Sequence, residues 1–269
     1  MVDFNFSADK PNKNLGQHWL TDTDILKKIV NYADITNEST VLEIGPGLGT
    51  LTRELVKSGS SVIAVEFDSA LAKKLASNLD NPKNLKIINK DILKFNFNEL
   101  PKDYTVVANI PYYLTSKLIR VLSESQNPPK QAIILIQKEV AERVCAKPGD
   151  LSLLAVSAQV FFDCQLGVGV SAKHFTPPPK VDSQVIILNR LYEPLVNKNI
   201  RDLFFRVVKA GFSEKRKKLR SSLSGGLQIS KEQADTLLSK ANIDSNLRAQ
   251  NLSINDWLKL TKAWQILIK

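Results

Sequence analysis

A chain of 269 residues that is 43% hydrophobic can bury a full core and still have room for a second, smaller domain, which excludes a disordered or fibrous protein. Its net charge of +10 is concentrated: from Arg190 onward sixteen Lys and Arg face seven Asp and Glu, while the first 189 residues carry 21 against 20. A basic excess confined to one end favours a polyanionic partner, nucleic acid or an anionic membrane surface. No run approaches the ~18 apolar residues of a membrane helix, and the opening residues lack the pattern of a secretory leader, so a cytoplasmic location without membrane attachment is expected. Cys145 and Cys164 sit in apolar surroundings and read as buried reduced thiols, and His18 and His174 are too separated to suggest a metal centre.

In chain order, residues 1–20 are polar and read as an irregular arm. Ile25, Leu26, Ile29, Val30 and Ala33 then recur at helical spacing behind Asp22 and Asp24. From residue 41, short apolar runs alternate with helical segments. Strands are expected at 41–44, 61–65, 85–88, 104–109 and 132–136, with helices at 50–57, 69–79 and 115–123. Continuous apolar strands joined by helices predict a parallel sheet covered on both faces, that is a doubly wound α/β domain. Helices over 139–146 and 151–162 are expected next. Strands near 165–170 and 181–188, separated by Pro177-Pro178-Pro179, would then make an antiparallel edge. Beyond Arg190 the strand signals stop. Leu203, Phe204, Val207, Val208 and Phe212 have helical spacing, Ser230-Lys231-Glu232-Gln233 reads as a capping box, and Ile254 to Trp264 suggests a last helix. The expected organisation is an arm (1–20), an α/β domain (21–190) and a basic helical domain (191–269).

The chemistry gathers at the carboxyl ends of the expected strands, where open α/β sheets bind ligands. Glu43-Ile44-Gly45-Pro46-Gly47-Leu48-Gly49-Thr50 follows the first of them and opens a helix, which suits close approach of a ligand to the backbone. The spacing is not that of the dinucleotide fingerprint, and no Gly-Lys-Ser/Thr follows, so a P-loop is excluded. Glu66 ends the next strand, about twenty residues on, where an acid meets ribose hydroxyls, and Asp91 follows the third. Alone, each acid reads as a turn residue or helix cap. Two acids with the glycine loop and no phosphate-binding lysine fit a nucleoside ligand. Asn109-Ile110-Pro111-Tyr112-Tyr113 closes a further strand with an amide, two carbonyls and an aromatic face, a set suited to the exocyclic amine of a flat base.

These segments resemble the ribosomal RNA adenine N6-dimethyltransferases, most closely their bacterial small-subunit branch. The resemblance rests on Leu15-Gly16-Gln17-His18-Trp19-Leu20, where the family more often has Phe at position 19, and on the glycine loop, Glu66, Asp91 and Asn109-Ile110-Pro111-Tyr112. It extends through Gln137-Lys138-Glu139, Phe175-Thr176-Pro177-Pro178-Pro179-Lys180-Val181-Asp182-Ser183 and the basic run Phe212 to Arg220. It implies a Rossmann-like methyltransferase domain with a small all-helical C-terminal domain, S-adenosylmethionine as cofactor, and dimethylation of two adjacent adenosines near the 3′ end of 16S rRNA. The partner it implies is that RNA within a small-subunit precursor, met by a monomeric enzyme that uses no metal. His18, Leu20, Gly45, Gly47, Glu66, Asp91, Ile92 and Asn109 are then expected at the cofactor. Asn109, Ile110, Pro111, Tyr112 and Phe175 are expected around the target adenine, and Lys215, Arg216, Lys217, Lys218 and Arg220 on RNA phosphates. Three competing readings are a large-subunit rRNA methyltransferase of the macrolide-resistance type, a non-enzymatic RNA-binding assembly factor and a DNA-binding transcription factor. The run 177–183 and Arg248 to Ser253 look more like the small-subunit branch.

Overall fold

The computed structural model describes residues 16–268, so most of the expected arm lies outside the described residues. Its end is not irregular. Trp19–Leu20 form a short strand, β1, and α1 (Thr23–Tyr32) follows, its first amides capped by the Asp22 carboxylate. Then come β2 (Thr40–Ile44), α2 (Thr50–Lys57), β3 (Ser61–Glu66), α3 (Ser69–Leu75), β4 (Leu85–Asn89), β5 (Thr105–Asn109), α4 (Thr115–Glu124) and β6 (Gln131–Gln137). Helices α5 (Lys138–Val144) and α6 (Leu153–Gln159) precede β7 (Phe162–Val170), β8 (Phe175–Thr176) and β9 (Ser183–Arg190). Four helices close the chain: α7 (Arg201–Gly211), α8 (Leu219–Leu227), α9 (Lys231–Lys240) and α10 (Ile254–Leu267).

Seven strands form one sheet in the order β4-β3-β2-β5-β6-β9-β7. Strands β2 to β6 pair in parallel and β9 runs antiparallel to β6, so the doubly wound sheet with an antiparallel edge stands. Val41, Leu42, Val62, Val106, Val107 and Ile133 are fully buried, as expected of strands covered on both faces. The chain runs from β2 outward through β3 to β4, then returns to place β5 on the other side of β2. That reversal leaves the loops after β2 and β5 diverging from a common crevice. Two elements are shorter than the periodicity implies. The chain leaves α3 at Leu75 for a single turn of 3₁₀ helix (Ser77–Leu79), and α6 stops at Gln159 because Phe162 already belongs to β7. The run Val160-Phe161-Phe162 is apolar in either conformation, so hydrophobicity alone does not separate helix from strand there.

The chain divides into two compact units. One holds the described residues through Ala141 together with Gln165–Arg190, and the other holds Glu142–Cys164 and the residues from Leu191 onward. Hydrogen bonds explain why 142–164 joins the C-terminal helices instead of the α/β domain expected to end at residue 190. The Gly149 and Leu151 amides donate to the Gln250 carbonyl, and the Gln250 side chain donates back to the Gly149 carbonyl at 2.8 Å. Within the same unit Gly211 meets the Trp257 indole so closely that a Cβ there would overlap the ring, and Trp257 is fully buried. Ser230 and Gln233 form the expected capping box at the start of α9. We expect Gly211→Ala to destabilise this unit by about 1 to 3 kcal/mol, the usual cost of forcing extra volume into a packed core. Denaturant unfolding with Trp fluorescence checks it.

Candidate active site

A cavity of about 220 Å³ opens at the carboxyl ends of β2, β3, β4 and β5 and is lined wholly by the first unit. Its framework is a hydrogen-bonded carboxylate. Glu66, buried at the end of β3, accepts the Gly47 amide on Oε2 at 3.0 Å and the Asp68 amide on Oε1 at 2.8 Å. Burial raises the Glu66 pKa, and the two backbone donors work against that rise. The glycine loop is fixed in shape from the other side as well. Gly47 has φ +57°, and a Cβ there would lie 3.3 Å from Nε1 of the buried Trp19 indole. Gly49, at φ +86° before α2, would put a Cβ 2.7 Å from a Leu75 methyl, so the turn into the helix also needs glycine.

Most of the expected cofactor residues come together here. His18, Gly45, Gly47, Glu66, Asp91, Ile92 and Asn109 all line the cavity. Asp91 caps the 3₁₀ turn Ile92–Lys94 through Oδ1, which accepts the Leu93 amide at 3.0 Å. Leu20 does not line the cavity. Neighbouring residues of a strand point to opposite sides, so Trp19 faces the glycine loop while the fully buried Leu20 side chain enters the core with Leu26, Ile29 and Phe175. Only the Leu20 backbone is left for any contact with a ligand.

The segment after β5 is held by the end of the arm. Asn109 Nδ2 donates to the His18 carbonyl at 3.4 Å, and His18 Nδ1 is 2.8 Å from the Pro177 carbonyl oxygen. The His18 ring stacks on Tyr112, with centroids 6.1 Å apart and planes at 22°. The Tyr112 hydroxyl shares a 2.9 Å hydrogen bond with Ser183 Oγ. Phe175 edges the cavity but is only 3% exposed, because β8 pairs with β1 (Leu20 opposite Phe175) and its ring packs into the core. Among the described residues no group of three or more His, Cys, Asp or Glu is placed to hold a metal, and no helix is long and apolar enough to cross a membrane.

Glu43 is the residue that motif reading passed over. It lines the cavity at the base of the glycine loop, is 1% exposed, and neither of its oxygens has a hydrogen-bond partner among the described residues. Burial pushes its pKa up to about 8, Thr52 beside it tempers the rise, and the Glu66 charge adds to it. The signal was an acid within the apolar run Val41-Leu42-Glu43-Ile44 of a buried strand. Phe67, 62% exposed between Glu66 and Asp68, also lines the cavity, and no motif marks it. The basic run lies mostly outside the helices. Lys215 to Lys218 are exposed in the turn between α7 and α8 of the second unit. Lys218 Nζ bonds Asn246 at 2.7 Å and Arg220 pairs with Asp235 at 2.8 Å.

Residues 8–265 match the family model described as ribosomal RNA adenine dimethylase. The chain belongs to that family. It is 42% identical over 257 residues to ribosomal RNA small subunit methyltransferase A of Clostridium botulinum (strain Okra / Type B1), covering 94% of this chain and 93% of that protein. Its identity to the protein of the same name from Dehalococcoides mccartyi (strain CBDB1) is 40%, over 93% of this chain and 87% of the other. Among solved structures, a dimethyladenosine transferase from Plasmodium falciparum is similar with a TM-score of 0.78 and 29% identity, covering 90% of this chain and 96% of that one. The 23S rRNA methyltransferase ErmE is similar with a TM-score of 0.73 and 27% identity, covering 92% and 99%. As a ribosomal RNA adenine dimethylase the chain is an rRNA-modifying methyltransferase.

In this dimethylase Glu43 ties stability to pH. The native carboxyl keeps its proton up to about pH 8, whereas an unfolded chain releases it near the ordinary 4.5, so the folded state binds more protons between those values. Its contribution is complete below pH 4.5 and is lost as pH rises to about 8, on the order of a few kcal/mol in all. Glu43→Gln, which mimics the protonated acid, should therefore melt increasingly above the parent protein as pH rises from 5 to 8.5. Calorimetric melts across that range check it.

Proposed function

We propose that this chain transfers methyl groups from S-adenosylmethionine to N6 of two adjacent adenosines near the 3′ end of 16S rRNA. It would act in the cytoplasm, as a monomer, on a small ribosomal subunit precursor. The small-subunit choice is supported by relatives near 40% identity that carry that name, since the ErmE likeness shows that the fold serves both subunits. The observation that carries the chemistry is the Asn109 amide: its Nδ2 is occupied by the His18 carbonyl, which leaves Oδ1 as an acceptor at the cavity.

The acceptor set fits the cofactor. Glu66 has lone pairs beyond those that take the Gly47 and Asp68 amides, and these suit ribose hydroxyls. Asp91 suits the exocyclic amine of the cofactor's adenine, with Ile92 and Phe67 as apolar walls. The orphaned Glu43 oxygens are free to accept hydrogen bonds from the cofactor's amino group, whose positive charge would favour release of the Glu43 proton, and Gly45 and Gly47 let the backbone close on the ligand. S-adenosylmethionine, when bound, supplies a methyl group activated by a sulfonium whose departure leaves a neutral thioether.

Adenine N6 is a weak nucleophile because its lone pair is delocalised into the ring. Asn109 Oδ1 and the Ile110 carbonyl accept its two N–H bonds, favour a pyramidal nitrogen and aim the lone pair at the methyl group, while Pro111 stiffens the turn. No side chain is required as a strong base, since the proton leaves after attack. Tyr112, held by Ser183 and backed by His18, presents a stacking face to an unpaired adenine, whereas Phe175, expected as the opposite wall, packs its ring into the core and reaches the cavity only at its edge. Asn109→Ala should abolish methyl transfer with RNA affinity nearly intact. Labelled cofactor incubated with unmodified small and large subunits reads this, and label in N6,N6-dimethyladenosine of the large subunit alone would refute the small-subunit assignment.

In the second unit Lys215, Arg216 and Lys217 carry the phosphate contacts, with Lys218 and Arg220 contributing what their Asn246 and Asp235 partners leave free. Neutralising Lys215, Arg216 and Lys217 should lower the slope of log K against log salt by about 2, at roughly 0.7 per phosphate contact on single-stranded RNA. Binding titrations at several salt concentrations measure it, and an unchanged slope moves the RNA surface elsewhere.

A further inference from the structure

Tyr112 and Tyr113 are adjacent in sequence and border the same cavity, yet their settings differ. Tyr112 is half-buried, bonded through its hydroxyl to Ser183 and covered on one side by His18. Tyr113 is 63% exposed, and its hydroxyl has no partner among the described residues. The inner edge of its ring is backed by the arm: a Cβ at Gly16 would stand 3.8 Å from Tyr113 Cε1 and 3.6 Å from Pro111 Cβ. The ring is thus supported from behind and presented to solvent at the cavity rim.

A large aromatic ring left in water at the mouth of a base-binding cavity is a stacking platform without its base. When one adenine leaves a single strand for the cavity, the base next to it loses a stacking neighbour. We propose that Tyr113 replaces that neighbour by stacking on the base adjacent to the target adenine, an inference that rests on the reading of this cavity as an adenine methylation site. Phe67, the other exposed aromatic of the lining, lies between Glu66 and Asp68 on the carboxylate side, where the cofactor is held. Tyr113 belongs instead to the segment that presents Asn109 and Tyr112. Tyr112 and Tyr113 therefore divide two consecutive bases between them, one inside the cavity and one at its rim.

A thermodynamic cycle between protein and RNA tests the assignment. Affinities are measured by fluorescence anisotropy, with S-adenosylhomocysteine present, for a small-subunit RNA fragment in four forms: intact, abasic at the target, abasic on the 5′ side of the target, and abasic on the 3′ side. The parent protein should lose about tenfold on removal of one of the two neighbours. Tyr113→Ala should lose about the same on intact RNA and nothing further on that abasic RNA, while Tyr113→Phe should bind like the parent. Losses that multiply at both neighbours, or an unchanged affinity in Tyr113→Ala, overturn the proposal. So does an equal loss of affinity for S-adenosylhomocysteine alone, which would make Tyr113 a cofactor wall. Parent protein that neither methylates the RNA nor responds to an abasic target would sink the underlying reading instead, so the two failures are distinct.

Discussion

The site depends on one buried carboxylate and the two amides that it accepts. Glu66 joins the end of β3 to the glycine loop after β2, through Gly47, and to the start of α3, through Asp68. A carboxylate this buried is costly unless donors satisfy it, and here the donors are backbone groups of the loop it must shape. Trp19 presses on the same loop from beneath, so Gly47 is confined between an anion and an indole. Ligand binding and loop geometry are therefore the same structural problem, solved by residues from β1, β2 and β3.

Around that centre the cavity has two chemically different sides. Toward β3 and β4 it offers carboxylates with apolar Ile92 and Phe67. Toward β5 it offers an oriented amide, a carbonyl and two tyrosines. The crevice exists because the chain reverses its direction across the sheet between β4 and β5, leaving the loops after β2 and β5 to diverge. A Cβ on Gly45 would lie 3.7 Å from the Asn109 carbonyl oxygen, so the glycine loop and the segment proposed to orient the amine are in near contact. Transfer of a single carbon between two bound molecules requires this closeness.

The sheet was legible because buried parallel strands are uninterrupted apolar runs with turn chemistry at their ends, and 61–65 or 132–136 admit few other readings. That Glu66, Asp91 and Asn109 would gather at one crevice was legible because all three stand at the carboxyl ends of such strands. What stayed hidden depends on contacts distant in sequence. Glu43 became notable only once both its oxygens proved partnerless, which no spacing reveals. The apolar Trp19-Leu20 pair gave no hint that one side chain faces the cavity and the other the core until β8 supplied the pairing. Likewise, 142–164 carries ordinary amphipathic patterns, and it is the Gly149 to Gln250 hydrogen bonds that attach it to the helical unit. The charge of Arg220 was visible, but its commitment to Asp235 was not.

The pairing of β1 with β8 also bears on the order in which the molecule is made. His18 and Pro177 are joined across 159 positions, and Leu20 faces Phe175. Contacts so remote pay their loop-closure entropy late and form after local structure. During synthesis Trp19-Leu20 emerge early, but β1 has no partner strand and His18 no Pro177 carbonyl until the segment around residue 177 has followed them out of the ribosome. A nascent chain can assemble β2 to β6 and their helices well before that point. Its cavity would still lack the His18 brace on Asn109 and Tyr112, so competence for catalysis arrives as a late and separate event in the chain's maturation.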